Sequence, residues 1–88
     1  MIEDIIKEIN DLRTKLNKSV FLIEKEIDYI IDNDIKSQQE IESILDILID
    51  YSGFGIGKEQ FVRLNSYYAT FNQEYSDLYN NFYENIEK

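Results

Sequence analysis

The 88-residue sequence contains no cysteine, no histidine and no proline, and it has only three glycines. Without cysteine the chain can form no disulfide and offers no thiolate to a metal. Without histidine it lacks the commonest metal ligand and the usual proton carrier near neutral pH. Few enforced breaks remain, which favours long helices. We therefore expect an all-α protein with no enzymatic activity, no cofactor and no metal.

Positive charge is also scarce, because 18 acidic residues face nine basic ones and leave a net charge of −9. Residues 26–50 carry eight acids and a single base, Lys36, so their net charge is 1 − 8 = −7. A field of this sign repels nucleic-acid phosphates and anionic lipids. Direct binding to nucleic acid or to a membrane is therefore not expected.

Long apolar runs are missing as well, and none approaches the roughly 18 residues that a membrane span requires. The acidic first residues differ from the basic start of a signal peptide, so a cytoplasmic location is expected. The length predicts a single domain over residues 1–88. The abundance of Ile, Asn, Lys and Tyr is typical of AT-rich bacteria.

Apolar residues recur at steps of three and four in three segments, which predicts helices over residues 2–32, 37–51 and 58–87. The segment at 37–40 (Ser-Gln-Gln-Glu) is a capping box that starts the second helix. Three glycines within 53–57 favour a reversal before the third. The third helix has the most regular stripe: Phe61, Leu64, Tyr68, Phe71, Tyr75, Leu78 and Phe82.

These helices predict a three-helix antiparallel bundle. The alternative is a long helical hairpin, in which the first helix runs unbroken to residue 51. The weak helix formers at 32–36 (Asp-Asn-Asp-Ile-Lys) favour the break. This segment lacks the glycine and terminal glutamate of a calcium loop, and the glycine-rich segment lacks the spacing of a phosphate-binding loop.

A mismatch in helix length indicates a partner. Helices over 2–32 and 58–87 would each be about 45 Å long, whereas the helix over 37–51 would span only about 22 Å. Part of the apolar surface therefore stays uncovered in one copy, and a homodimer is the commonest solution.

Tyrosines and acids suggest where a partner binds. An aromatic row at every fourth residue curls around the last helix, so that Phe71 and Tyr75 face the core while Tyr67 and Tyr83 lie on its flanks. Tyrosine suits such half-wet interface positions. Acids at the same spacing form possible docking rows. The predicted partner-binding residues are Tyr67, Tyr79, Tyr83, Asp28, Asp32, Asp46 and Asp50.

Three kinds of known protein resemble parts of this pattern. Tyr51-Ser52-Gly53 and the Tyr83 to Glu87 spacing resemble the turn and the C-terminal export signal of the small secreted helical hairpins named for Trp-X-Gly, although Tyr stands in place of that Trp. The size and charge are similar to those of acidic DNA mimics that block nucleic-acid enzymes. The helical composition is similar to that of bacteriocin immunity proteins.

The function predicted from the sequence is a non-catalytic protein-binding module, such as an adaptor, an immunity factor or a regulatory subunit. Two alternatives are an acidic DNA-mimic inhibitor and a leaderless exported helical-hairpin protein or its partner.

Overall fold

A computed structural model describes residues 1–87 of the chain, and over that range the protein is all-α. The described residues form four helices: α1 (Ile2–Asp32), α2 (Gln38–Ser52), α3 (Lys58–Ala69) and α4 (Gln73–Glu87). The first predicted helix is confirmed at both ends, and the second begins and ends one residue later than predicted. The break between them excludes the long helical hairpin.

The end of α1 is set by local hydrogen bonds. The Asp34 N–H donates to the Ile31 carbonyl at 3.2 Å, and the Ile35 N–H donates to the Ile30 carbonyl at 2.9 Å. This is the Schellman arrangement, with Asp34 in the left-handed position at φ 51° that glycine usually occupies. Asp tolerates this conformation better than most residues, because its short side chain bonds locally.

The start of α2 and the turn before α3 also follow sequence signals. The Ser37 side chain caps α2 by accepting a hydrogen bond from the Glu40 N–H, as the capping box predicts. Gly57 ends the turn at φ 87°, where its backbone is buried against α2. A Cβ on this residue would lie only 3.1 Å from the Leu48 Cδ2 atom, so any other side chain would press on Leu48 and would have to adopt a φ that favours glycine.

The predicted single helix over residues 58–87 is wrong, because the chain reverses at 70–72. The N–H groups of Phe71 and Asn72 both donate to the Tyr68 carbonyl, which ends α3. The Asn72 side chain then accepts from the Tyr75 N–H at 3.4 Å and helps to begin α4. The bundle therefore has four helices in the described residues where three were predicted.

Helices α3 and α4 pack antiparallel as a tight hairpin. The rings of Phe61 and Tyr83 stack with centroids 4.2 Å apart. Nearer the turn, the side-chain amide of Asn65 donates to the backbone carbonyl of Ser76 at 3.0 Å. The Ser76 hydroxyl donates in return to the backbone carbonyl of Asn65 at 2.9 Å. The Asn65 amide also donates to Asn80 at 2.8 Å. This buried pair holds the two helices in one register.

The reversal changes which face of α4 is buried. The predicted stripe continues through Tyr75, Leu78 and Phe82, yet all three are exposed. Buried Ser76 and Tyr83, each one residue later than a stripe position, pack against α3. The stripe of α4 that was expected in the core therefore faces solvent.

The core lies around α3, which packs against each of the other three helices. It is built mainly from aliphatic residues of α1 and α2 and aromatic residues of α3 and α4. Its buried apolar members are Ile23, Ile27, Ile30, Ile41, Ile44, Leu45, Leu48, Phe61, Leu64, Tyr68 and Tyr83.

Only the second half of α1 belongs to this core. Leu16 and Val20 are half-buried, whereas the apolar side chains before them are exposed. The first half of α1 therefore projects beyond the bundle. The radius of gyration of 14.7 Å reflects this overhang, since a compact chain of this length has a radius of about 12 Å.

Candidate functional site: two uncovered apolar surfaces

The first uncovered surface is a groove between α2 and α4, here called the α2–α4 groove. It is lined by Asp46, Ile49, Leu78, Tyr79 and Phe82. Leu78 and Phe82 are each 56% exposed, and they lie one turn apart on the same face of α4. Exposed Tyr75 and Ile86 extend this apolar row in both directions along α4. This contiguous exposed apolar row makes the groove a candidate binding surface.

The wall of the groove is fixed by a hydrogen bond between the two helices. The Tyr79 hydroxyl donates to the Asp46 carboxylate at 2.9 Å. Burial and this hydrogen bond both disfavour the tyrosinate, so the pKa of Tyr79 is raised well above its usual value. Tyr79 therefore remains a neutral donor at physiological pH and keeps the carboxylate at the groove.

The same type of contact recurs elsewhere between helices. The fully buried Tyr68 donates to Glu42 of α2 at 2.6 Å, and burial raises its pKa. Tyr67 donates to the Ile35 carbonyl at 2.8 Å and lies 3.2 Å from the Asp34 carboxylate. These tyrosines thus bond carboxylates and backbone of the same chain, which orders the helices.

The predicted acidic residues separate into different regions. Asp46 lines the α2–α4 groove, and exposed Asp50 lies one turn further along α2. Asp28 instead forms an ion pair with Arg63 of α3, and Asp32 is exposed at the end of α1. The seven predicted residues therefore do not form one site.

The predicted tyrosines also differ in position. Tyr79 belongs to the groove, and half-buried Tyr67 lies where α3 meets the loop after α1. The placement of Tyr83 on an outer flank is wrong, because it is only 6% exposed and stacks on Phe61. Tyr75 was expected to face the core but is exposed, and Phe71 is half-buried. The turn at 70–72 is the cause of these changes.

The groove residues missed from the sequence are Ile49, Leu78 and Phe82. Their helical spacing assigned the two α4 residues to the core. One usable signal was the run Thr70-Phe71-Asn72, because Asn is a preferred helix-capping residue and can mark a new helix start. A break there releases the later part of the stripe from the register of α3.

The second uncovered surface lies on the projecting half of α1 and is here called the N-terminal stripe. Its members lie on one face of the helix and, after Met1, are 45% to 74% exposed: Met1, Ile2, Ile5, Ile6, Ile9 and Leu12. The helix lengths predict unmatched apolar surface, and in the structure part of that surface lies at this end of α1.

Neither surface has the composition of a metal centre. No group of three acidic side chains within residues 1–87 converges as metal ligands would. None of the helices in this range combines the length and the hydrophobicity needed to cross a lipid bilayer. Comparison of the chain with protein-family models, with curated proteins and with solved structures finds no match.

Proposed function

We propose that this protein is a non-catalytic protein-binding module whose α2–α4 groove receives a basic, amphipathic helical segment of a partner protein. The observation that carries this proposal is the exposed apolar row of α4 beside a carboxylate. Leu78 and Phe82 offer an apolar floor at helical spacing, and Asp46 stands at its edge. An amphipathic helix lies in such a groove with its apolar face down.

The expected charge of the partner follows from the surroundings of the groove. Asp50 lies beyond Asp46 on α2, and Asp77 is exposed on α4 next to Leu78. No basic residue lines the groove within the described chain. Lysine or arginine flanking the apolar face of a partner would therefore be attracted, and acidic flanks would be repelled. This contrast gives the groove a preference for basic segments.

The alternative function, an acidic DNA-mimic inhibitor, is less well supported. A charge decoy needs carboxylates that are available to a basic enzyme. Asp28 is paired with Arg63, Asp34 is paired with Lys36, and Glu42 accepts a hydrogen bond from Tyr68. These three of the eight acids in residues 26–50 already have partners within the chain, which reduces the charge available to a basic enzyme.

The export alternative rests on Tyr83 and Glu87. Tyr83 is buried in the hairpin, where a receptor would not reach its ring without opening α4. The side chain of Glu87 lies outside the part of the chain that the structure describes. The groove therefore remains the better supported site of action.

The proposal can be tested with two synthetic amphipathic helices that share one leucine face and differ only in flanking lysines or glutamates. Chemical-shift mapping on the isotope-labelled full chain should show the lysine peptide perturbing Ile49, Leu78 and Phe82. Because charge contributes to recognition, binding should weaken as salt rises. The glutamate peptide should leave these signals unchanged.

Variants distinguish binding in the groove from nonspecific binding to exposed apolar side chains. Leu78→Ser with Phe82→Ser removes two side chains that are mostly exposed, so the fold should survive while peptide binding is lost. Tyr29→Ser is the matched control, because Tyr29 is similarly exposed but lies on α1, where it lines a separate pocket with residues of α2. Equal binding of both peptides, or equal loss of binding in both variants, would refute the proposal.

A further inference from the structure

The N-terminal stripe leaves this chain with more surface than a compact monomer has. Its accessible surface is 6304 Å², whereas a folded monomer of 10.5 kDa is expected to expose about 5,400 Å². The excess of about 900 Å² matches the roughly 800 Å² that one partner contributes to a standard protein interface. The excess surface of the chain is thus of the size that a standard dimer interface covers.

The overhanging part of α1 also needs packing contacts to remain helical. Residues 2–15 are exposed, so none of the other helices in the described residues covers them. An isolated helix of about 12–15 residues is marginal in water, and most helical stability comes from packing an apolar face. Isoleucine, which dominates this stripe, is only a moderate helix former. A partner on the stripe supplies the missing packing.

We propose that the partner is a second copy of this chain, bound antiparallel through the N-terminal stripe with a two-fold axis near Ile9. The charges along α1 select this direction. Residues 3–11 contain four acids and Lys7, a net side-chain charge of 1 − 4 = −3. Residues 13–18 contain three bases and no acid, a net charge of +3. Antiparallel pairing places each acidic segment beside the partner's basic one.

Shape and the charge of the bundle favour the same orientation. The apolar contact continues beyond the N-terminal stripe to the half-buried Leu16, where the chain's own bundle begins. Ile9 is the midpoint between Ile2 and Leu16. Antiparallel helices put the two bundles at opposite ends of this contact, which is about 21 Å long. Parallel helices would bring the two acidic mid-chain regions, each with a net charge of −7, to the same end.

The first test is the mass of the full chain in solution. Light scattering after size exclusion, from micromolar to near-millimolar protein, should give twice 10.5 kDa. In Ile5→Ser with Ile9→Ser, four apolar side chains leave the dimer interface, so the dissociation constant should rise by about 100-fold or more. Leu78→Ser with Phe82→Ser should stay dimeric, because it changes only the groove.

The second test is the direction of pairing. The chain has no cysteine, so a single introduced cysteine reports one position without background. Ile9→Cys should form an intermolecular disulfide, because it lies near the axis. Two copies of Ile2→Cys should not, since they are about 21 Å apart and a disulfide needs Cα atoms within about 7 Å. An equal mixture of Ile2→Cys and Leu16→Cys should cross-link as a heterodimer.

Three results would overturn the dimer. The first is a monomeric mass at every concentration. Binding of the stripe of such a monomer to lipid vesicles would not rescue the dimer. Efficient cross-linking of Ile2→Cys to itself would show parallel pairing. A dimer that survives Ile5→Ser with Ile9→Ser would place the interface elsewhere. None of these results affects peptide binding in the α2–α4 groove, so the two proposals fail independently.

Discussion

Asn65 should be the polar residue on which the α3–α4 hairpin depends most. It is only 1% exposed, and its amide nitrogen donates to both the Ser76 carbonyl and the Asn80 side chain. Its own side-chain oxygen accepts no hydrogen bond from the described residues. Asn65→Asp keeps the shape of the side chain but replaces the donating group with an acceptor. The substitution therefore tests the hydrogen bonds rather than the packing.

The expected loss follows from two contributions. Two donated hydrogen bonds disappear, at about 1 kcal/mol each. A buried carboxyl that faces two acceptors also has a raised pKa, and each unit of that rise adds about 1.4 kcal/mol at neutral pH. A rise of about two units would bring the total to roughly 5 kcal/mol. Small domains are stable by only about 5–15 kcal/mol, so the variant should be near its unfolding limit.

The pH dependence has a defined sign. The carboxyl introduced by Asn65→Asp has a higher pKa in the folded state than the value of about 3.9 in the unfolded chain. The folded state therefore favours the protonated form, so the free energy of unfolding should recover as the pH falls from the folded pKa towards the unfolded value of about 3.9. The wild-type residue cannot titrate and contributes no such recovery.

Urea unfolding followed by far-UV circular dichroism, at one fixed protein concentration, measures this effect. Asn80→Asp is the matched control, because exposed Asn80 only accepts from Asn65 and a carboxylate preserves that acceptor. Its stability should stay within about 0.5 kcal/mol of wild type. If Asn65→Asp unfolds at the wild-type urea midpoint, or if Asn80→Asp loses as much stability, the buried amide does not hold the hairpin.

Two further predictions concern the turn before α3 and alkaline pH. Gly57→Ala should lower the free energy of unfolding by about 1–2 kcal/mol or more, because φ is 87° and the added Cβ meets Leu48. Gly53→Ala, at φ −62° and with only an ordinary contact of 3.7 Å from the added Cβ to the Asp50 carbonyl oxygen, should be neutral in the same urea assay, and equal losses would refute the steric explanation. Burial raises the pKa of Tyr68, so the folded state keeps a proton that the unfolded chain releases above pH about 10. The contribution of this proton to the free energy of unfolding is therefore fully present below that pH. Above it, the free energy of unfolding should fall by about 1.4 kcal/mol per pH unit, and the fall should be shallower in Tyr68→Phe. Identical alkaline profiles for Tyr68→Phe and wild type would count against this assignment.

The parts of the fold that were predictable depend on signals within a few residues. The 3,4 spacing from Ile2 to Ile30, the Ser37 cap and the three glycines act through neighbouring backbone, so they predicted α1, α2 and the turn. Apolar surface left uncovered in one copy was also expected, because helix lengths follow from periodicity. Its place on the first half of α1 was not predicted, since α1 overhangs only because the helix expected over 58–87 is divided into α3 and α4. These features need no knowledge of which helix packs against which.

The reversal at 70–72 was decided by tertiary contacts. This segment contains neither glycine nor proline, and the apolar spacing runs through it without interruption. In the hairpin, Asn65 and Ser76, which would be distant in a continuous helix, exchange two hydrogen bonds in the buried interior. The spacing of apolar residues contains no information about such a pairing between polar residues.

The candidate groove follows from that reversal. Apolar periodicity shows that Leu78 and Phe82 share a face of α4, but it does not show whether that face meets α3 or solvent. Once the chain folds back, Tyr83 stacks on Phe61 and the neighbouring apolar face turns outward. Long-range packing selects one of two adjacent faces on a single helix, because both are apolar enough to be buried and only one can contact α3.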